Sequence, residues 1–410
     1  MSRANRTPAT GISSDVATAS FETILESARQ IQPRLVDLRR RIHEEPELGL
    51  ETPLTRAKIL EDLEDLGLEI TLHKKTSGVV AVLRGARPGR RILLRGDMDA
   101  LPMPEETGLS FQSKTEGRMH ACGHDAHVSM LAGAARLLAE RRAALEGEIV
   151  FMFQPGEECY GGAEIMIEEG MPEFDACFAL HVAPQIPTGM VGTKAGAIMA
   201  SFDDFEVEVV GRGGHASMPH DCIDPVPIAC EIVTALQSFV TREIPATDPG
   251  VVSVTQIHAG TANNVIADSA RIQGTMRALS DRTRAILQEG LPRIAKGIAS
   301  THRAEAKIEL IPGYPVVVND ARFEAFAREI TTDLLGERAV LPLPAPVMGA
   351  EDFAYVLQKA PGAMMLLGVR PPGSGTPAPC HSSQMMLDEE AMALGAALHV
   401  SVATRFLSAC

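Results

Sequence analysis

Short, almost unbroken apolar runs separated by longer amphipathic stretches restrict the fold of this chain more than any other feature of its sequence. Runs of this length are too short for helices, and without polar alternation they are typical of strands buried on both faces of a sheet. The pattern therefore predicts an α/β fold, with a mostly parallel-type sheet and flanking helices. In chain order, the predicted elements are the strands Val79–Leu83 and Ile92–Leu94, a helix of about Ala126–Glu140, the strands Ile149–Phe153, Ala176–Val182 and Ala363–Val369, and a helix of about Asp388–Phe406.

The region before the first strand is predicted to be helical. Apolar residues recur at helical spacing over Phe21–Arg41, which predicts one helix that ends before Pro46. A second helix is predicted over Leu54–Leu66 and is closed by Gly67. Residues 1–19 are rich in Ser, Thr and Ala without periodicity, and are predicted to form a flexible tail.

The middle of the chain has a different pattern, in which strands and helices follow the order β-α-β-β-α-β. This order is typical of a ferredoxin-like α+β unit. We expect residues 197–311 to form an inserted lid or dimerisation domain that splits a catalytic domain into 20–196 and 312–410. The elements predicted in this region are Phe205–Val210, Asp224–Arg242, Val251–His258, Ala270–Met276, Asp281–Ser300 and Ala306–Ile311.

Composition excludes several classes of function. The 38 Lys and Arg residues against 53 Asp and Glu residues give a net charge of −15, which disfavours binding to nucleic acid. No window is expected to reach the ~18 apolar residues that a membrane span needs. The first twenty residues lack the apolar stretch of a secretory signal, and the seven cysteines are scattered in a way that indicates reduced thiols. We therefore expect a cytoplasmic protein with no membrane or nucleic-acid partner.

Residues that can bind metal or transfer protons follow the predicted strands. Because ligands of open α/β sheets bind outside the carboxyl ends of the strands, separate segments are expected to meet at one edge. Glu157 and Glu158 come directly after a buried strand, and one carboxylate of such a pair can hold a metal while the other acts on water. The other candidates at strand ends are Asp97, Asp99, His181, Cys380 and His381.

The segment Met119–His127, with the sequence MHACGHDAH, is the richest in possible ligands. Cys122 and His124 flank Gly123, so both side chains can face one ion while a helix starts behind them. Other groups in this segment are His120, Asp125 and His127.

Together these segments resemble the M20 metallopeptidase family, and most closely its amidohydrolase subfamily of hippurate-hydrolase-like and N-acyl-amino-acid amidohydrolases. The resemblance spans about residues 21–407. The segments that carry it are RIHEEPELGLE (41–51), LLRGDMDALP (93–102), MHACGHDAHVSMLAGAA (119–135), FQPGEECYGGAEIMIEEG (153–170), ALHVAPQIPTGMVG (179–192), GRGGHASMPH (211–220), TANNVIAD (261–268) and MGAEDFAYV (348–356).

The resemblance implies a centre of two divalent metal ions, which Zn, Mn, Co or Ni would suit. Glu157 is expected to be the general base and acid, and Asp99 to orient a ligand without binding metal. The broader family begins this motif with Gly-His-x-Asp, whereas here Asp97 follows Gly96, as in the amidohydrolase subfamily. The ligands that the resemblance implies are Cys122, His124, Glu158, His181 and His381.

The resemblance also assigns roles to residues of the insertion. His215 is expected to stabilise the tetrahedral oxyanion, in the family often from the partner subunit. Asn264 and Arg277 are expected to bind the amide and carboxylate ends of the substrate. A homodimer or higher homo-oligomer formed through the insertion is implied as well.

The function that follows is metal-dependent hydrolysis of the amide bond of small N-acyl-amino acids, either hippurate-like or N-acetyl substrates. Dipeptidase or N-acetyl-diaminopimelate deacetylase activity is the alternative within the same chemistry. A hydrolase with Cys122 as nucleophile and a metal- or peptide-binding protein without activity are alternatives of other classes.

Overall fold

The computed structural model describes residues 21–158, 160–373 and 375–409, so the predicted tail at 1–19 lies outside the described residues. Helices and strands alternate along most of this length. The helices are α1 Phe21–Gln30, α2 Gln32–His43, α3 Pro53–Leu63, α4 His124–Glu140, α5 Gly162–Gly170, α6 Pro225–Glu243, α7 Asp281–Thr301, α8 Ala321–Leu335, α9 Phe353–Leu357 and α10 Ala391–Ser408.

The strands form one large sheet, one smaller sheet and two short ribbons. The strands are β1 Glu69–Leu72, β2 Val79–Arg84, β3 Arg87–Asp97, β4 Glu146–Gln154, β5 Ala176–Pro187, β6 Val191–Thr193, β7 Gly196–Met199, β8 Ser201–Val210, β9 Gly214–His215, β10 Gly250–Ala259, β11 Val265–Ile266, β12 Ser269–Ala278, β13 Glu305–Pro312, β14 Val317–Asn319, β15 Val340–Pro342 and β16 Gly362–Arg370.

The large sheet has the strand order β1-β2-β4-β3-β5-β16-β6-β15. Its centre, β4-β3-β5-β16, is parallel throughout, whereas β1 and β2 join antiparallel at one edge. Ile92 and Leu94 pack into the core on one face, and Leu93 packs into a second core on the opposite face. Because both faces are covered, alternate residues of a strand are equally apolar, which confirms the predicted α/β fold.

The first helix predicted from the sequence is in fact two helices. α1 ends at Gln30 and α2 begins at Gln32, with Pro33 in the first turn of α2. Proline has no backbone N–H, so it cannot continue the hydrogen-bond ladder of α1 but is tolerated at a helix start. The second predicted helix is α3 followed by one 3-10 turn, and Gly67 closes it in the left-handed region with φ +60°.

The smaller sheet occupies residues 201–312 with α6 and α7. Its strand order, β10-β12-β8-β13, is antiparallel at every pairing. Apolar residues of β8 and β12 pack with α6 and α7 into a core separate from that of the large sheet. This is the ferredoxin-like order expected from the sequence. The exact division of the chain at 196/197 and 311/312 stays a prediction.

Helix α10 is long and apolar enough to cross a membrane by length and composition, so the expectation that no stretch reaches this size was wrong. However, 78% of this window is buried inside the protein. α10 packs against α4 and the large sheet, as the core helix of a folded domain does.

A buried cluster of charges joins the end of β3 to the segment before α9. Arg95 of β3 is 1% exposed, and its guanidinium contacts the carboxylates of Asp97, Glu351 and Asp352. Its Nε donates to Gln154 Oε1 of β4 at 2.8 Å. Gln154 in turn donates to Asp352 at 2.7 Å, so the cluster links three segments of the chain.

Gly147 at the start of β4 is required by a close approach of two strands. Its φ is +89°, and a Cβ at this position would lie 2.0 Å from the carbonyl oxygen of Arg90 in β3. We expect Gly147→Ala to reduce the free energy of unfolding by about 2–4 kcal/mol, because it adds backbone strain to a steric overlap. Thermal and urea unfolding followed by circular dichroism measure the change.

Gly297→Ala is the matched control. Gly297 is exposed in α7, and a Cβ there meets no atom within 4 Å among the described residues. Because glycine in a helix interior is less favourable than alanine, this variant should be more stable by about 0.5–1 kcal/mol. Equal effects of the two substitutions would contradict this view of the β3–β4 contact.

Arg95→Met tests the buried charge cluster. Removal of the guanidinium leaves three buried carboxylates without their cation, so we expect the free energy of unfolding to fall by about 3–5 kcal/mol. The control is Arg84→Met. Arg84 also contacts two carboxylates, Glu69 and Glu148, but its side chain is 56% exposed, and a loss below about 1 kcal/mol is expected. An Arg95→Met protein as stable as the Arg84→Met protein would refute the role of the cluster.

Candidate active site

Four segments meet near the carboxyl ends of the parallel strands. Glu157 and Glu158 lie on the turn after β4, and Cys122 and His124 lie at the start of α4. His381 lies on the loop after β16, with an unusual φ of +65°. His181 is in the middle of β5 and not at its end, since β5 continues to Pro187.

Gly123 places the first two candidate ligands. It caps α4 in the left-handed region with φ +85°, and a Cβ there would lie 2.4 Å from a methyl group of Val182. Only glycine fits this turn without strain, so α4 can begin directly at His124 beside β5. Cys122 and His124 therefore leave the chain on either side of one tight turn.

The five expected ligands lie close together. Cys122 Sγ is 3.4 Å from His181 Nε2, and His381 Nε2 is 3.2 Å from Glu158 Oε1. His124 Nε2 is 4.0 Å from Glu158 Oε1. They form overlapping groups whose ligand atoms lie within 4.8 Å of one another. The structure thus brings all five together, while their role as ligands remains a proposal.

Second contacts orient two of the imidazole rings. His124 Nδ1 donates to the carbonyl oxygen of Asp99 at 2.8 Å, and His181 Nδ1 donates to the carbonyl oxygen of Val182 at 2.7 Å. Each ring therefore directs the lone pair of Nε2 into the group of ligands. His124 Nε2 is buried and has no hydrogen-bond partner among the described residues. A bound cation satisfies such an atom, so the donor set fits a divalent transition metal.

The electrostatic environment favours positive charge at this point. Burial by itself lowers the pKa of His124, but Asp97, Asp99 and Glu158 outweigh it and raise that pKa to about 10. A site whose carboxylates draw a proton onto a buried imidazole also attracts a metal cation.

Glu157 differs from its neighbour Glu158. Burial, then the charges of Glu351 and Glu158, raise the pKa of Glu157 well above its usual range. Burial also opposes ionisation of Glu158, but the hydrogen bond from His381 and the charge of His124 lower its pKa. The two carboxylates are therefore suited to different tasks: Glu158 to hold positive charge, and Glu157 to accept a proton.

Asp99 and Asp97 bond to the protein around the site. Asp99 accepts the backbone N–H of Glu157 at 2.9 Å with one oxygen and that of Glu158 at 3.0 Å with the other. Asp97 contacts Arg95 and accepts from His127 Nδ1, and His127 Nε2 accepts the N–H of Val182 at 2.8 Å. Both nitrogens of His127 are thus occupied, so its ring has no lone pair left for a metal ion.

The two remaining polar residues of the segment Met119–His127 belong to none of the groups of described residues whose ligand atoms lie within 4.8 Å of one another. Asp125 bonds to His43 at 2.8 Å and lies 3.0 Å from Arg39. His120 is buried, and burial lowers its pKa to about 3. The spacing of possible ligands alone could not separate these residues from Cys122 and His124.

A cavity of about 650 Å³ opens from the candidate ligands. Glu157, Glu158 and His381 line its polar end, and Arg277 reaches it from β12 of the smaller sheet. Arg277 Nη1 donates to the carbonyl oxygen of Met348 at 2.9 Å, which fixes the guanidinium at the wall. The rest of the wall is mostly apolar and includes Ile186, Met199, Phe202, Leu343, Val347 and Leu366.

A second cavity, of about 880 Å³, lies at the amino ends of the parallel strands and is lined by Arg84 and Arg91. It contains none of the candidate ligands.

His215 and Asn264 are not brought to this cavity. Both lie on an exposed ribbon formed by β9 and β11, where the N–H of Ala216 donates to the carbonyl oxygen of Asn264 at 3.0 Å. The His215 ring accepts from the hydroxyl of Ser217 at 2.8 Å. Within one chain, therefore, these two predicted residues and the five candidate ligands remain apart.

Sequence reasoning missed several residues of the site. Arg95 and Tyr314 had been given no role, and Glu351 and Asp352 were noticed only as part of a resembling segment. Both acidic residues lie within 4.8 Å of Glu157, measured between carboxylate oxygens. The adjacent acidic residues in the segment MGAEDF (348–353) were a usable signal. Two acidic residues beside apolar residues indicate carboxylates that are buried, and a buried carboxylate needs a positively charged partner. Cys380 was noted, but its contact with the thiol of Cys122 was not.

Comparisons with known proteins agree with this geometry. The family model described as peptidase family M20/M25/M40 matches residues 93–405. An N-acetylcysteine deacetylase of Bacillus subtilis is 41% identical, covering 88% of this chain and 93% of its own. The IAA-amino acid hydrolase ILR1-like 2 of Arabidopsis thaliana is 39% identical, covering 95% and 90%.

A solved structure is similar over nearly the whole chain. The Bacillus subtilis YXEP protein, described as a dinuclear metal-binding peptidase of the M20 family, superposes with a TM-score of 0.80 at 36% identity, covering 93% of this chain and all of its own. The two chains share one fold, and their sequence identity is well above the level at which only fold is shared. The chain therefore belongs to peptidase family M20/M25/M40 and is a metal-dependent amidohydrolase.

Proposed function

We propose that this amidohydrolase cleaves the amide bond of N-acyl-amino acids, with Glu157 as general base and acid. The observation that carries the proposal is the adjacent pair Glu157 and Glu158. The pKa of one is raised and that of the other is lowered, and both face one cavity. This is the division between proton carrier and metal ligand that amide hydrolysis requires.

We assign the metal-binding role to Cys122, His124, Glu158, His181 and His381, which together would hold two divalent ions. When bound, the ions supply Lewis acidity to the amide carbonyl and to the attacking water. The mixture of one thiolate, three imidazoles and one carboxylate suits Zn, Mn, Co or Ni.

Glu157 would take the proton of the attacking water and pass it to the leaving nitrogen. The C–N bond breaks in this step, which releases a carboxylic acid and an amino acid. Burial supports this role, because a carboxylate whose pKa is raised is a stronger proton acceptor than an exposed one. Asp99 holds the backbone of Glu157 and Glu158 in place for this task.

The cavity supports a substrate with one anionic end and one apolar part. Arg277 supplies a fixed cation to bind a carboxylate in a chain whose net charge is −15. The apolar wall suits an aliphatic or aromatic group, as in hippurate-like substrates. One relative is named for N-acetylcysteine and another for IAA-amino acids, which supports an acylated amino acid as the common element.

We propose a homodimer or higher homo-oligomer, in which His215 and Asn264 of one chain serve the site of another. Their place on the exposed ribbon, away from the cavity of their own chain, supports this. β10 is an exposed edge of the smaller sheet and offers unpaired backbone groups for contact with a second copy.

We also propose a cytoplasmic location. The free thiols of Cys122, Cys177, Cys222, Cys230 and Cys380 are compatible with a reducing compartment.

The direct test is an assay of metal-loaded protein on N-acetyl, N-benzoyl and N-indoleacetyl amino acids, with dipeptides as competing substrates. We expect turnover of acylated amino acids, loss of activity after chelation and recovery when metal is added back. Activity that survives chelation but is lost on alkylation would favour Cys122 as nucleophile. Metal binding with no turnover on the whole panel would favour a binding protein.

Glu157→Gln should keep the metal content of the wild type and lose about 10²–10⁴-fold in kcat, because only the proton carrier is removed. The matched control is Glu158→Gln, which should lower metal content as well as activity. Metal content is measured by mass spectrometry after gel filtration. Undiminished hydrolysis by the Glu157→Gln protein would refute the assigned role.

Mixing of two inactive variants tests whether His215 acts on a partner's site. A His215→Ala chain keeps Glu157, and a Glu157→Gln chain keeps His215, so a mixed dimer contains one complete site. After denaturation and refolding together, random pairing should restore about a quarter of wild-type activity. No recovery in a preparation shown by native mass spectrometry to contain mixed dimers would contradict the proposal.

A further inference from the structure

We propose that Tyr314 is a positioning residue that fixes the backbone of Glu157 from the junction between the two sheets. This inference rests on the proposed role of Glu157. It adds a residue that is outside the set of candidate ligands, lines the cavity with its ring, and acts through the peptide that carries the base.

The Tyr314 hydroxyl contacts both ends of one turn. It donates to the carbonyl oxygen of Glu157 at 2.7 Å and accepts the N–H of Gly161 at 2.8 Å. Tyr314 is only 5% exposed, so water competes little for either bond. The hydroxyl oxygen of Tyr314 therefore connects the carbonyl group of Glu157 to the backbone N–H of Gly161, which directly precedes α5.

The turn is held from the opposite side by Asp99, which accepts the N–H groups of Glu157 and Glu158. The peptide before Glu157 is therefore fixed through its N–H, and the peptide after it is fixed through both the N–H of Glu158 and the carbonyl oxygen of Glu157. Removal of the Tyr314 hydroxyl releases only the carbonyl side. Because proton transfer requires the carboxylate at hydrogen-bond distance from water, a small rotation of this peptide reduces the rate.

Tyr314 is placed by the chain that returns from the smaller sheet. It follows β13 by two residues, and its carbonyl oxygen accepts the N–H of Phe202 in β8 at 3.1 Å. The two rings pack edge to face with centroids 4.9 Å apart. Phe202 is opposite Arg277 in the β8–β12 register, and the Arg277 guanidinium lies 5.8 Å from its ring centroid. The residue proposed to bind the substrate carboxylate and the base are thus joined through Phe202 and Tyr314.

Tyr314→Phe, which removes only the hydroxyl, tests the proposal on the metal-loaded enzyme. We expect kcat to fall about 10–100-fold, because the base is misplaced. KM should stay within about twofold, because the Tyr314 ring keeps its place in the cavity wall and the hydroxyl that is removed is bonded to the Glu157 turn. Metal content should equal that of the wild type, because the candidate ligands do not change. Steady-state kinetics on the best N-acyl-amino acid of the panel gives both constants.

The matched control is Tyr355→Phe. Tyr355 lies beside Tyr314, with ring centroids 6.2 Å apart, and its hydroxyl donates to the carbonyl oxygen of Gly313 at 3.4 Å. It is not among the residues that line the cavity. Its loss removes hydroxyl contacts with Gly313 and with Glu164 of α5, but neither of the bonds that Tyr314 makes to Glu157 and Gly161, so kcat should change by less than about twofold.

Amide hydrogen exchange separates local positioning from general stability. In the wild type, the Gly161 amide should be protected because the Tyr314 hydroxyl accepts its hydrogen. In Tyr314→Phe, exchange should become faster in residues 157–162 and remain unchanged in β3, β4 and α4. The wild-type measurement holds even where the variant does not fold.

Three results would overturn the proposal. These are an unprotected Gly161 amide in the wild type, a kcat for Tyr314→Phe equal to that of Tyr355→Phe, or a loss of activity that accompanies loss of metal or faster exchange throughout the protein. If Glu157→Gln is inactive while Tyr314→Phe keeps full kcat, only the positioning role fails. If Glu157→Gln itself stays active, the proposed function fails.

Discussion

The buried guanidinium of Arg95 is the interaction on which the arrangement of this site depends. Three carboxylates and one amide surround it with almost no access to water, and they come from β3, β4 and the segment before α9. Without a cation at this point, mutual repulsion would drive these acidic groups apart or protonate them. The cluster also lies behind Glu157, and its carboxylates help to raise the pKa of that residue. Stability of the sheet end and the proton affinity of the proposed base thus depend on one set of charges.

Much of the large sheet could be predicted because its strands are buried on both faces. Ile149–Phe153 and Ala363–Val369 have no other plausible environment than a covered parallel sheet, and β4 and β16 contain these runs with one or a few residues added at each end. The helix over 21–41 failed because periodicity continues through Ile31 while Pro33 interrupts the hydrogen bonds. Short strands such as β6 and β14 were missed, because their pairing depends on neighbours distant in sequence. Helix α8 was missed although Asp320 at its N-cap and Gly336 after its end are local signals of a helix.

The region of the candidate ligands could be predicted, since each follows or lies within a recognisable strand or helix start, but the set of five came from the family resemblance. Which histidines keep a nitrogen available for a metal ion could not be predicted. His127 and His124 have the same residue type and lie three positions apart, yet a carboxylate and a backbone N–H occupy one ring while the other keeps a free nitrogen. Such differences arise from contacts with Asp97 and Val182, which no local pattern encodes. Tyr314 escaped notice for the same reason, because its hydroxyl acts on a peptide more than 150 residues away.

The cavity has a consequence for how selectivity can change over time. Its polar end is built by α4, β5 and the turn after β4, whereas Val347 and Leu343 of the apolar wall lie in the irregular chain between β15 and α9. Replacement of Val347 or Leu343 alters the shape available to the substrate and leaves the candidate ligands and Arg95 untouched. Descendants of such a chain can therefore exchange one amide substrate for another by a few substitutions in a segment that contributes little to the core. Because Ile186 shares β5 with the candidate ligand His181, this independence belongs to the irregular segment and not to the whole wall.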